Sequence, residues 1–321
     1  MPKFQVASRS LDELSENKKE LDELFAPVKG AKGKIDRAGV KKIEDSRYEI
    51  AELVVQLISD QAIVSDPSAF FVEPQQGDIR DSYIWQELHP DAALRVVNRA
   101  LGSKPLTQRL FFKEFGMSTS QKEIAVAIPL EDVAAGRITP SLVVERMAAA
   151  INRYRIGMIL NSIDSAVTAV ADQTGVAGYT LRYTGLTDAN LTKAIDGLQD
   201  NSESPTVFGR HIFLAPTIRA FSGWSDATTR DFELRGMIGS FRGAPIVTLQ
   251  DQYSRPDAGH VIPANRAYIA GGTKGAIHMQ KDVSFLNYSL VDARTATFET
   301  GLRMEEGVLV WKPYAYRVLT A

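Results

Sequence analysis

The sequence predicts an α+β fold in which one very long helix separates an early strand-rich region from a later compact α/β unit. Three observations predict it. After Thr139 and Pro140, the run SLVVERMAAAINRYRIGMILNSIDSAVTAVA meets no helix breaker before Gly175 except the tolerated Gly157. The residues ahead of this run fall into short segments rich in aromatic and β-branched side chains. The residues behind it alternate helical and extended patterns and then close in strands.

Residues 1–66 form a polar, helical N-terminal arm. Ser10 and Glu13 have capping-box spacing, and Leu11, Leu14, Lys18, Leu21 and Phe25 mark one narrow stripe. Pro27, Gly30 and Gly33 end that helix, and Val40, Ile43, Ile50, Val54 and Leu57 predict a second amphipathic run. Between them lies the most basic stretch, Lys29, Lys32, Lys34, Arg37, Lys41 and Lys42, which reads as a solvated linker and helix face. The sharper alternative is an arm reaching a neighbouring subunit or nucleic acid. Residues 67–130 are expected to be an extended hairpin region, with AFFVEP, SYIWQEL, RLFFKEF and EIAVAIP as strands separated by Gly and Pro.

Residues 131–185 hold the long helix, Thr139–Ala171. Val144, Met147, Ile151, Tyr154, Met158, Ile163, Val167 and Val170 share one side, and Ile156 and Leu160 widen the apolar surface, which predicts burial on more than one face. At 1.5 Å per residue such a helix runs roughly 45 Å, the span of a domain. Residues 186–275 read as the α/β unit. Thr187 caps a helix bearing Leu191, Ala194, Ile195 and Leu198; HIFLAP reads as a buried strand, TIRAFSGW as a short helix, and GAPIVTLQD and PANRAYIAGG as strands. Residues 276–321, with AIHMQ, SFLNYSLV, TATFETGLRMEE and GVLVWKPYAYRVL, are expected to be strands.

Composition narrows the function. With 44% hydrophobic and 24% charged residues the chain looks like an ordinary globular protein, and a formal net charge of −2 offers no basic excess to grip nucleic acid. The absence of cysteine removes disulfides, thiolate metal sites and cysteine nucleophiles. The N-terminal residues lack the apolar core of a signal peptide, and no stretch has the length of apolar sequence that spans a membrane.

The motifs of chemistry are missing too. His89, His211, His260 and His278 have no metal-ligand spacing, and His211 and His278, each in a strand pattern, read as structural. Gly271, Gly272, Thr273, Lys274 and Gly275 lack the leading glycine of a phosphate loop and read as a turn, and Gly236, Gly239 and Gly243 fail the dinucleotide fingerprint. The pairs Glu44-Asp45, Glu131-Asp132 and Glu305-Glu306 read as solvated surface charge, because adjacent residues point apart. No catalytic residue, cofactor site or metal site is expected. What the sequence offers in place of a site is contact surface. The arm stripe through Leu14 and Leu21 is too thin to build a core alone, and Trp85, Phe111 and Phe112 load the hairpin region with aromatic weight; these five are the candidate subunit-interface residues.

The order of parts resembles the major capsid proteins of tailed bacteriophages, the shell fold shared with encapsulins. Local wording supports it, in the Gly-rich turn into a strand of GMIGSFRGAPIVTLQD, in PANRAYIAGG and in GVLVWKPYAYRVL. On that resemblance, 1–66 is the arm, 67–130 the extended hairpin loop, 131–185 the spine helix with part of the peripheral domain, 186–275 the axial domain and 276–321 the peripheral strands. It implies a structural subunit, without catalysis or cofactor, that forms hexamers and pentamers and closes an icosahedral head around double-stranded DNA in the host cytoplasm. Scaffolding, portal and decoration proteins are the further partners it implies, and no membrane. Two alternatives stand beside it. An encapsulin-like compartment shell shares the layout, although the polar helical arm counts against it; an α/β hydrolytic enzyme would use carboxylates brought together from distant segments.

Overall fold

The computed structural model describes residues 11–29, 35–64, 70–77, 84–88, 112–173, 180–200, 204–214, 239–249, 262–292 and 296–321. Among them the helices are α1 (Leu11–Phe25), α2 (Arg37–Asp45), α3 (Arg47–Val64), α4 (Leu130–Ala134), α5 (Pro140–Gln173) and α6 (Asp188–Gln199). The strands are β1 (Glu73–Gly77), β2 (Ile84–Leu88), β3 (Phe112–Gly116), β4 (Ser120–Pro129), β5 (Arg182–Thr184), β6 (Thr206–Gly209), β7 (Ser240–Phe241), β8 (Ala244–Thr248), β9 (Arg266–Ala270), β10 (Ala276–Asp292), β11 (Thr297–Val310) and β12 (Tyr316–Thr320). One sheet has the order β1-β10-β11-β4, a second β5-β12-β9-β6-β8-β7, and β2 and β3 form a ribbon of their own.

The length of α5 lets one helix serve two cores. Its first half sends Val144, Met147, Ala148 and Ile151 into a cluster with Leu21 and Phe25 of α1, Ile50 and Leu57 of α3, and Phe298 and Leu302 of β11. Its second half sends Ile159, Leu160, Ile163 and Val167 against Phe208, Tyr268, Tyr316 and Val318 of the six-stranded sheet. Ile159, Leu160, Ile163 and Val167 have no exposed surface, and each is worth about 1.5–3 kcal/mol of burial. The far face of the same sheet carries Val207, Ala267, Ile269 and Leu319 against Leu191, Ala194, Ile195 and Leu198 of α6. Along β9 the side chains alternate between these two layers, as the period of two in a strand requires. Thr187 Oγ1 accepts from Asn190 N and starts α6 where its sequence predicts.

The arm is tied to the same core. The expected second helix divides into α2 and α3 at Ser46, whose N–H donates to Lys42 O, so the stripe continues from Ile43 to Ile50 without losing its phase. A side chain at Gly39 would run into the Pro27 carbonyl, so α2 packs against the turn after α1 only with glycine there. Asp22 of α1 caps α5 from outside: Oδ1 accepts from Ser141 N at 3.1 Å and Oδ2 from Ser141 Oγ at 2.9 Å. Lys18 Nζ meets Glu145 Oε1 at 2.6 Å one turn further on. Replacing Asp22 by Ala removes a carboxylate from the N-terminal end of a long helix, and a loss of about 1 kcal/mol in urea unfolding is expected.

Four expectations change. The final strand belongs elsewhere than the rest of 276–321: the turn Pro313–Ala315 carries the chain out of the four-stranded sheet, and β12 inserts between β5 and β9 in the six-stranded one. β5, inside the expected 131–185 unit, joins that same sheet. In HIFLAP, residues 211–214 are helical, with Phe213 N and Leu214 N both donating to Arg210 O; the strand is the preceding TVFG of β6. In AFFVEP, Phe71 and Val72 are core residues and the strand begins at Glu73. TIRAFSGW lies outside the described residues, as does Ser10.

Candidate assembly surface

The ribbon of β2 and β3 is antiparallel, pairing Ile84 with Gly116, Trp85 with Phe115 and Leu88 with Phe112. Among the described residues, no other helix or strand packs extensively against it. A two-stranded ribbon is marginal in water unless another layer packs on it, so a ribbon rich in aromatic sequence calls for a partner surface. Residues 117–119 connect it directly to β4, the edge strand of the four-stranded sheet.

The five sequence candidates distribute unevenly. Trp85 and Phe112 sit on the ribbon at the register positions given. Phe111 lies outside the described residues. Leu14 and Leu21 are buried within this chain, in the cluster that α1 shares with α3, α5 and β11. Their stripe is satisfied inside the protomer. Exposed apolar groups that the sequence did not single out include Tyr48 on α3, stacked 4.7 Å under the Arg47 guanidinium, and Ile212 in the turn after β6.

The polar candidates also separate. Glu44 and Asp45 are exposed on α2, and Asp132 pairs with Arg137 at 2.7 Å. His211 is exposed in its helical turn, while His89 and His260 lie outside the described residues. Glu305-Glu306 is where the expectation of surface charge fails. Glu305 accepts from Thr119 Oγ1, but Glu306 has no exposure at all and takes two donors from Arg155 of α5. His278 packs beside it, its Nε2 3.7 Å from Glu306 Oε2. Burial alone raises the Glu306 carboxyl; the His278 imidazole and the Arg155 guanidinium outweigh that and hold it below the ordinary carboxylate value. Among the described residues no group of His, Asp and Glu converges as a metal site, and no helix is long and apolar enough to cross a membrane.

A polar arm, a separate two-stranded ribbon, a helix of 34 residues serving two cores, a layered α/β unit and a long β10–β11 hairpin together make the fold of phage capsid shell proteins. The chain superposes on the cyanophage P-SCSP1u capsid with a TM-score of 0.56 at 12% identity, covering 78% of this chain and 86% of that one. The mature capsid of bacteriophage PhiM1 gives 0.53 at 9% identity, over 80% and 87% of the two chains. Gordonia phage Cozz gives 0.52 at 15% identity, over 78% and 84%. No family model matches the sequence, and no curated protein matches it. At such identities the shared property is the fold.

Proposed function

We propose that this chain is a major capsid protein, a structural subunit that assembles as hexamers and pentamers into an icosahedral phage head around double-stranded DNA. The observation that carries the reading is the β2–β3 ribbon, against which no other described helix or strand packs extensively, on a protomer whose remaining described elements close their own cores. Such a ribbon gains its covering layer from a neighbouring copy. Each contact can be weak, because many copies close a symmetric surface and every subunit is held by several neighbours at once. The net charge of −2 suits a wall that confines DNA without gripping it. The subunit works by shape, without catalysis or cofactor; scaffolding, portal and decoration proteins are its further partners, and assembly takes place in the host cytoplasm.

The test is negative-stain electron microscopy with size-exclusion chromatography on the full chain expressed alone and with the ribbon, residues 84–116, replaced by a short Gly–Ser linker. Closed shells or hexamer and pentamer rings are expected from the intact chain, with a diameter that separates a phage head from a small enzyme-holding compartment. The linker variant is expected to lose assembly while its unfolding free energy stays within roughly 0.5 kcal/mol of the parent. An intact chain that stays a compact monomer or dimer at high concentration sinks the reading, and a linker variant that still builds shells overturns the ribbon's role as the contact that carries assembly.

A further inference from the structure

Where α5 crosses the base of the β10–β11 hairpin, buried polar groups meet in the middle of an otherwise apolar layer. Glu306 is 0% exposed, His278 5% and Arg155 6%. Arg155 donates through both Nε, at 2.7 Å, and Nη2 to Glu306 Oε1, and Nη2 also reaches Gln280 Oε1 at 3.2 Å. The second carboxylate oxygen faces His278 Nε2. One guanidinium therefore joins a helix to both strands of the hairpin. A buried pair of this kind resists replacement of either member alone, because the survivor is left charged in the core.

Its position is the second observation. Glu306 stands opposite Gln280, and Glu305 opposite Lys281, but the next pair up the hairpin is Leu286 with Arg303. β10 thus advances five residues while β11 advances two, which is a bulge in β10 immediately beyond the cluster. Below the bulge, β10 is held on its other side by β1, with Pro74 beside His278. The hairpin is pinned to α5 at its base and has an irregular joint directly above the pin.

We propose that Arg155, Glu306 and His278 form an acid-released latch that pins the hairpin base to α5, and that neutralising Glu306 frees the hairpin to move at the joint. The inference concerns the protomer and does not rest on the capsid reading. Among the described residues the titratable groups facing Glu306 are Arg155 from α5 and His278 from β10; β4 sets Ser120 opposite Glu306, and Gln280 is neutral. Because the folded carboxyl is held below its ordinary value of 4.5, its contribution is present above that pH and is lost as the pH falls through the lower folded value. Release belongs to the acid side of about pH 4.5.

Hydrogen exchange of the full chain, read by mass spectrometry from about pH 7 to about pH 3 and corrected for intrinsic rates, tests the latch. Peptides covering 276–281, 304–310 and the middle turns of α5 are expected to lose protection together below about pH 4.5, by about tenfold or more, while 266–270 and 316–320 keep theirs. The paired replacement of Arg155→Met with Glu306→Leu is expected to abolish that acid step. Glu306→Gln alone is expected to show at neutral pH the exchange that the parent shows in acid. Parent and paired variant with the same pH profile, simultaneous loss of protection across all sheets, or a Glu306→Gln chain protected like the parent at neutral pH overturns the proposal.

Discussion

Replacing Arg155 with methionine is expected to cost about 3–5 kcal/mol of unfolding free energy, read by urea denaturation at neutral pH. Arg155 is 6% exposed, and its side chain supplies both of the short donors to Glu306 Oε1. Methionine fills comparable space, so the loss comes from the charge left behind, a carboxylate with no exposed surface and only His278 beside it. Replacing Glu306 with leucine in the same chain removes that charge, and most of the stability is expected to return. The double-mutant cycle isolates the coupling. If Arg155→Met alone costs less than about 1 kcal/mol, water reaches the carboxylate and the site is not closed.

This cluster also shows where a sequence stops speaking. Glu305-Glu306 alternates along a strand, so one of the two must face each side. Nothing local says that the inward one meets an arginine 151 residues away. α5 was legible because its signal is long: apolar positions recur over 34 residues with a Pro start and no breaker. The cap of α6 was legible because Thr187 and Asn190 are three apart and bond each other locally. HIFLAP was misread because a short apolar run fits a strand or a buried helical turn equally. β12 looks like any edge of the preceding hairpin; its transfer to the other sheet is decided by the turn at Pro313–Ala315 and by contacts with β5 and β9. Leu14 and Leu21 were legible as an apolar stripe, but what covers the stripe was not, since the anchor between Asp22 and Ser141 spans 119 residues. The ribbon of β2 and β3 was legible as strands with aromatic weight, and only the fold shows that no described element covers it extensively.

Tyr316→Phe is expected to destabilise the chain by about 2–5 kcal/mol although it removes a single oxygen. Tyr316 is 2% exposed; its hydroxyl accepts from Gly275 N at 3.0 Å and donates to Phe71 O at 2.6 Å. One atom therefore holds three segments together: the transferred strand β12, the entry to β10, and the chain just ahead of β1. Phenylalanine leaves a backbone N–H and a carbonyl unpaired in a closed core. Rearrangement cannot rescue them easily, since any side chain at Gly275 would collide with the Lys312 carbonyl and Ala315. Burial raises the Tyr316 hydroxyl well above its ordinary value of 10.0, the opposite direction from Glu306. Its stabilising share is complete below about pH 10 and falls as the pH rises further, because the unfolded chain releases the proton while the folded one keeps it. The parent is thus expected to lose stability more steeply above about pH 10 than Tyr316→Phe does, even though the variant is weaker at neutral pH. Tyr48→Phe, on an exposed ring, serves as control with an expected change within about 0.5 kcal/mol. If Tyr316→Phe matches that control at neutral pH, the hydroxyl is not what joins β12 to the segments ahead of β1 and β10.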